Sequence, residues 1–163
     1  MNEISLLKKI TYFTGANRPD VLQGPGDDCA VVSIDGSDYD WLLKSDPVIE
    51  NVHFNSDTDP ILVGRKAANR AFSDIASMGG EPLWLLSGLV AHKTKMKLAV
   101  KVAEGISIAA AEAGVAVTGG DLSNGTGLEA HMTVIGRVKK GEAVLRSGAN
   151  PGDGIYVTGE LGG

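Results

Sequence analysis

Apolar residues Ile4, Leu6, Leu7, Ile10 and Phe13 recur at helical spacing and predict a helix over residues 3–13, ended by Gly15 and the polar run to Asp20. Apolar residues 29–34 and 41–43 predict two short strands, joined by the turn sequence Asp35-Gly36-Ser37-Asp38. Pro47 predicts that the second strand's ladder stops there. Residues 60–78 predict a helix, with Asp59 as N-cap, Pro60 at the first helical position and Gly79-Gly80 as the stop. Its apolar face carries Ala68, Ala71, Phe72, Ile75 and Ala76, and a polar stripe carries Lys66, Asn69, Arg70, Ser73, Asp74 and Ser77. Further on, the pattern predicts a strand over 82–90 and a helix over 94–113, capped by Thr94 and stopped by Gly114. It also predicts a short buried strand over 115–118 and strands over 131–138 and 155–158. This order gives an α+β fold, a mixed sheet with helices packed on one face. Nothing in the chain is left to cover the other face, so a second copy or a second domain is expected there.

Composition narrows the function classes. The 163 residues suit one domain with a core; 43% are hydrophobic and 21% charged. The net charge of −5 argues against a nucleic-acid partner, and Lys93, Lys95, Lys97 and Lys101 read as a solvated helix face. No stretch reaches the ~18 apolar residues of a membrane span and no leader pattern opens the chain, so a cytoplasmic protein is expected. The single cysteine, Cys29, lies in an apolar run and reads as a small core residue. The chain halts directly after a strand signal, which suggests a piece of a longer polypeptide.

Acidic residues recur where elements are expected to end: Gly26-Asp27-Asp28, Ser45-Asp46, residues 57–59, Ser73-Asp74 and Gly119-Gly120-Asp121. Crowded carboxylates need a cation, and oxygen ligands without a Cys or His cluster favour a hard ion such as Mg²⁺. Each segment also has a plain structural reading, as a turn or a capped strand end. Asp74 falls where the helix dipole disfavours an anion, so a neighbouring cation is expected. Two glycines before Asp121 would let a backbone approach phosphate oxygens. Histidines 53, 92 and 131 lack metal-ligand spacing, and the default for each is a structural role. Arg146 is a surface arginine by default, with a donor fork that suits phosphate. No P-loop, nucleophile elbow or dinucleotide fingerprint is present.

Taken in order, these segments are far more specific. Gly26-Asp27-Asp28-Cys29-Ala30, Ser45-Asp46 with Val52-His53-Phe54, Asn69 through Ser73-Asp74 to Gly79, Gly119-Gly120-Asp121, Arg146-Ser147-Gly148-Ala149 and Pro151-Gly152-Asp153 resemble the thiamine-monophosphate kinase family. Its superfamily includes aminoimidazole ribonucleotide synthetase, selenophosphate synthetase and a hydrogenase-maturation protein. The resemblance implies ATP-dependent phosphorylation of thiamine phosphate to thiamine diphosphate by direct in-line transfer, without a phosphoenzyme and with several Mg²⁺ ions. It implies metal ligands at Asp28, Ser45, Asp46, Asp74 and Asp121, ATP contacts at Gly120, Asp121 and Arg146, and a substrate contact at His53. It implies that residues 1–163 are an N-terminal ATP- and Mg-binding domain, cut before a C-terminal one, whose sheet joins a second subunit's in a barrel-forming homodimer. The family has Ser or Thr where this chain has Lys44, so a metal contact there is in doubt, and the ammonium can instead neutralise carboxylates. Two rival readings are a non-catalytic dimerisation module and a sister enzyme with another acceptor.

Overall fold

The computed structural model describes residues 3–13, 18–157, 159 and 160. Helix α1 is Glu3–Phe13, as its spacing predicts. There follow β1 (Val21–Gln23), β2 (Ala30–Ser33), β3 (Tyr39–Ile49), α2 (Pro60–Ser77), β4 (Glu81–Ala91), a 3-10 turn at Lys93–Lys95, α3 (Met96–Glu112), β5 (Ala116–Asn124) and β6 (Leu128–Lys139). The expected stop at Gly15 and the chain's last three residues lie outside the described residues.

The strands form one six-stranded sheet in the order β1-β2-β3-β6-β4-β5. All neighbours are antiparallel except β4 and β5, which run parallel with α3 as their crossover. Strand alternation sends Leu42, Val48, Leu85, Met132 and Val134 to one face, where they form a buried core with Ala67, Ala71, Ile75, Val102 and Ile106 of α2 and α3. The two helices meet backbone to backbone. A Cβ on Gly64 would lie 2.0 Å from the Val102 carbonyl oxygen, and one on Gly105 would lie 2.1 Å from that of Ile61. Helix α2 starts as expected, with the Asp59 carboxylate accepting from the Ile61 N–H at 2.9 Å, and stops at Gly79 with φ 74°.

The opposite face carries Val32, Ile34, Trp41, Leu43, Trp84 and Ile135 around an apolar recess of about 320 Å³. Trp41 and Trp84 stack there with centroids 5.5 Å apart. Neither α2 nor α3 lies over this face, in line with the expectation of helices on one side. The mixed α+β sheet read from the sequence is therefore the observed fold.

Several boundaries differ from the pattern. Strand β3 runs through Pro47, which stands opposite His131 of β6. Its pairing with β2 ends at Leu43, so from Lys44 onward one edge of β3 is free of β2, and a residue without an N–H is tolerated there. The strand expected at 115–118 is instead Ala116–Asn124, exposed along its whole length as the sheet's edge. Gly119-Gly120-Asp121 thus lies within a strand and not in a loop. A Cβ on Gly120 would lie 1.9 Å from the Ser87 carbonyl oxygen, so the close approach of β4 demands that glycine. Thr94 caps no helix; its own N–H donates to His92 Nδ1 at 3.4 Å, and α3 starts at Met96. Ala76 is exposed, away from the buried face of α2. Residues 155–157 form no strand, with Ile155 97% exposed, and Thr158 lies outside the described residues.

Candidate functional site

The polar stripe of α2 faces the helix side of β3 and the turn that enters β2. In that turn Gly26 takes φ 130°, a conformation that a side chain disfavours, and the two following acids diverge. Asp27 holds the backbone, its Oδ1 accepting from the Asp28 N–H at 2.8 Å and its Oδ2 from the Arg146 N–H at 3.0 Å. Asp28 turns toward the end of α2, where Ser77 Oγ donates to its Oδ2 at 2.9 Å and the Arg146 guanidinium pairs with its Oδ1. On β3, alternation places Lys44 and Asp46 on the helix face. Lys44 Nζ pairs with Asp74 Oδ2 at 2.5 Å, and Arg70 Nε pairs with Asp46 Oδ2 at 3.2 Å. Asp28, Asp46 and Asp74 are therefore ranged along one charged groove, each with its own cation.

The electrostatics follow from these pairs. The Arg146 donor, and after it Ser77, hold the Asp28 carboxyl below its usual range, so it is ionised at neutral pH. Asp28 in turn raises Arg146. Asp74 sits in the last turns of α2, where the helix dipole opposes an anion, and Lys44 supplies the cation expected there. Cys29, 3% exposed, is pushed up to about 12 by burial and is a core thiol, not a metal ligand.

Two expected ligands lie elsewhere. Ser45 and Asp46 are neighbours within a strand and so point to opposite faces, which separates the hydroxyl–carboxylate pair read from the sequence. Ser45 shares its face with Thr133, opposite in register. Asp121 stands opposite Gly88, across which lies His131, and its Oδ2 accepts from Ser123 Oγ at 2.7 Å. Three strand spacings of ~4.8 Å, and the sheet itself, separate Asp121 from Asp46. These two acids cannot ligate the same ion within one chain. Gly120 sits in the same edge strand, away from the groove.

His53 lines a recess of about 360 Å³ with Asn51, Asn55, Thr58 and Lys66. Its Nδ1 accepts from the Ile49 N–H at 3.0 Å, which fixes the tautomer and leaves Nε2 to carry the proton when the ring is neutral. Lys66, in the same recess, donates to the His53 carbonyl. Lys66 and Asp74 are eight residues apart on α2, about 12 Å at 1.5 Å per residue, so the α2 stripe links the recess to the groove. His92 caps the 3-10 turn and His131 pairs with Glu129. The lysines after His92 are partly consumed in ion pairs, Lys95 with Glu50 and Lys101 with Glu104.

Two groove residues, Arg70 and Ser77, carried no assigned role in the sequence, whereas Lys44 was expected to neutralise carboxylates and pairs with Asp74. Arg70 and Ser77 stand one turn or less from Asp74, and Lys44 is two residues from Asp46. The spacings i−4, i+3 and i−2 that join them to the acids were the available signal. Among the described residues no three Asp, Glu, His or Cys side chains converge on one point. The crowding of carboxylates expected from the sequence is thus not found: Asp28, Asp46 and Asp74 are each neutralised by a side-chain cation.

Residues 26–138 match the family described as AIR synthase related protein, N-terminal domain. The chain is 32% identical over 160 residues to the thiamine-monophosphate kinase of Salmonella typhimurium, covering 98% of this chain and 49% of that protein. It is 37% identical over 165 residues to that of Rhodopirellula baltica, covering 94% and 52%. The solved structure of AaThiL complexed with AMPPCP and TMP superposes with a TM-score of 0.79 at 27% identity, over 91% of this chain and 45% of that one. The chain spans about half the length of the curated relatives it matches. Its fold, its match over residues 26–138 and these relatives together make it a member of the AIR synthase related family, whose N-terminal domain it carries.

Proposed function

We propose that this chain is the ATP- and magnesium-binding part of an enzyme that phosphorylates thiamine phosphate to thiamine diphosphate. The observation that carries this reading is the groove in which Asp28, Asp46 and Asp74 stand beside Arg146, Lys44 and Arg70. The relatives' names and the AMPPCP and TMP bound to AaThiL supply the donor and acceptor. Asp28, Asp46 and Asp74 would line the metal–nucleotide site, and Ser45 and Asp121, on the other face and three strands apart, would not share an ion within one chain. Bound Mg²⁺ would neutralise the phosphate oxygens as charge builds between donor and acceptor. Arg146 is positioned to exchange its carboxylate partner for a phosphate, since a guanidinium binds both with the same fork. Gly120 and Asp121, remote from the groove of their own chain, would approach a nucleotide held by a second copy. His53 and its recess would take the thiamine phosphate, whose acceptor oxygen attacks in line with no residue of this chain as nucleophile.

The apolar sheet face would join a second copy, with the two sheets closing into a barrel, and a C-terminal domain would complete the site. Among the described residues no helix is long and apolar enough to cross a membrane. A cytoplasmic location suits an ATP-consuming step of this kind.

Two measurements test the reading. Mg–ATP should raise the melting temperature in a saturable way, with about 2.7 kcal/mol of stabilisation at a hundred times the dissociation constant. A non-catalytic dimerisation module would give no shift. Phosphate transfer to thiamine phosphate, assayed in the protein as it occurs naturally, separates this acceptor from that of a sister enzyme.

A further inference from the structure

We propose that the Lys44 ammonium is a built-in counter-ion standing at Asp74 where a divalent ion would otherwise bind, so that this chain engages nucleotide with one divalent ion fewer than its carboxylates could hold. The inference rests on the magnesium–nucleotide reading above and narrows it, leaving divalent ions to Asp28 and Asp46 and giving Asp74 to the ammonium.

Lys44 lies on the covered face of β3 between Leu42, which is fully buried, and Asp46. A lysine on such a face needs a partner, because an unpaired ammonium loses hydration without return. The partner is Asp74, at 2.5 Å, with only 21% of the Lys44 side chain and 27% of the Asp74 side chain exposed. The Arg70–Asp46 pair in the same groove is longer, 3.2 Å, and its arginine is 38% exposed. Lys44 is therefore the more enclosed of these two cations.

Its position is also set by the helix. Asp74 sits near the C-terminus of α2, where the backbone dipole disfavours a carboxylate, so a positive charge fixed there is favourable with or without nucleotide. The charge of Lys44 also reaches Asp28 at the head of β2. A divalent ion on Asp74 would stand within a few ångströms of the ammonium and be repelled by it. Arg146 differs, because it hangs at the groove's outer edge, 66% exposed, and can swing from Asp28 to a phosphate without leaving a buried charge unpaired.

The test counts ions on the folded chain with Mn²⁺ alone, by equilibrium dialysis and the paramagnetic signal of free Mn²⁺. Lys44→Gln and Lys44→Ser should each gain about one bound Mn²⁺ per chain, or bind their tightest Mn²⁺ at least roughly tenfold better than the unaltered chain. The gain should vanish when Asp74→Asn is added. Lys44→Arg, which keeps the charge, should behave as the unaltered chain does. Circular dichroism confirms that each variant is folded, and the glutamine variant, close to lysine in length, guards against loss of fold in the serine one. An unchanged count and affinity in both neutral variants overturns the inference, as does a gain that survives Asp74→Asn. Absence of Mg–ATP binding by the unaltered chain would remove the nucleotide reading, whereas the Mn²⁺ count decides the role of Lys44 separately.

Discussion

On one face of β3, Leu42, Lys44 and Asp46 meet helix α2; on the other, Trp41, Leu43 and Ser45 meet neither α2 nor α3. The helix face is finished chemistry, with a closed apolar core and acids that each have a cation. The opposite face is an apolar surface around stacked tryptophans that continues into the polar row of Ser45, Thr133, His131 and Asp121. The contrast teaches that a single strand, through its two-residue alternation, can furnish a binding groove and an assembly surface at once. It also shows why acids that are close in sequence need not be close in space.

The sharpest way to break this comparison is to delete the same atoms on both sides. Leu42→Ala should lower unfolding stability by about 2–5 kcal/mol, because Leu42 is fully buried, whereas Leu43→Ala, 40% exposed, should cost less than about 1 kcal/mol in the monomer. Urea denaturation at low concentration measures both, and equal losses would mean that the second face is covered within one chain. Trp84→Glu should then act on assembly, weakening self-association at least roughly tenfold in sedimentation experiments while the monomer's melting changes little. A smaller effect comes from acid. Arg146 holds Asp28 low, and Lys95, pairing with a Glu50 side chain only 7% exposed, holds Glu50 low. Both carboxyls have lower values folded than unfolded, so their stabilisation is complete above the ordinary carboxylate range of about pH 4–5. It fades as pH falls through the folded values. Melting temperature against pH should decline on that acid side, and Glu50→Gln should flatten part of the decline. A local change comes last: Asp59→Ala should cost about 1 kcal/mol from the lost cap of α2, read by thermal melting.

Local signals were legible in the sequence. Helix α1, the cap and stop of α2, the turn at Gly36 and the apolar setting of Cys29 are each written in a few neighbouring residues. Edge strand β5 was not, because its pairing with β4 is parallel and non-local, and two glycines within it carry the signature of a turn. The site was half legible for a related reason. Asp28, Asp46 and Asp74 were identified by residue type and do share a groove, but Ser45 parts from Asp46 because β3 continues through Pro47. Lys44, whose family departure drew attention to it, proved to be the partner of Asp74.

The central claim is that these acids hold a metal–nucleotide complex, and calorimetric titration of Mg–ATP into the folded chain tests it most directly. Saturable binding is expected, and Asp28→Asn and Asp46→Asn should each weaken it without altering the far-ultraviolet circular dichroism. Binding that neither substitution changes, or no binding by the unaltered chain, would contradict it.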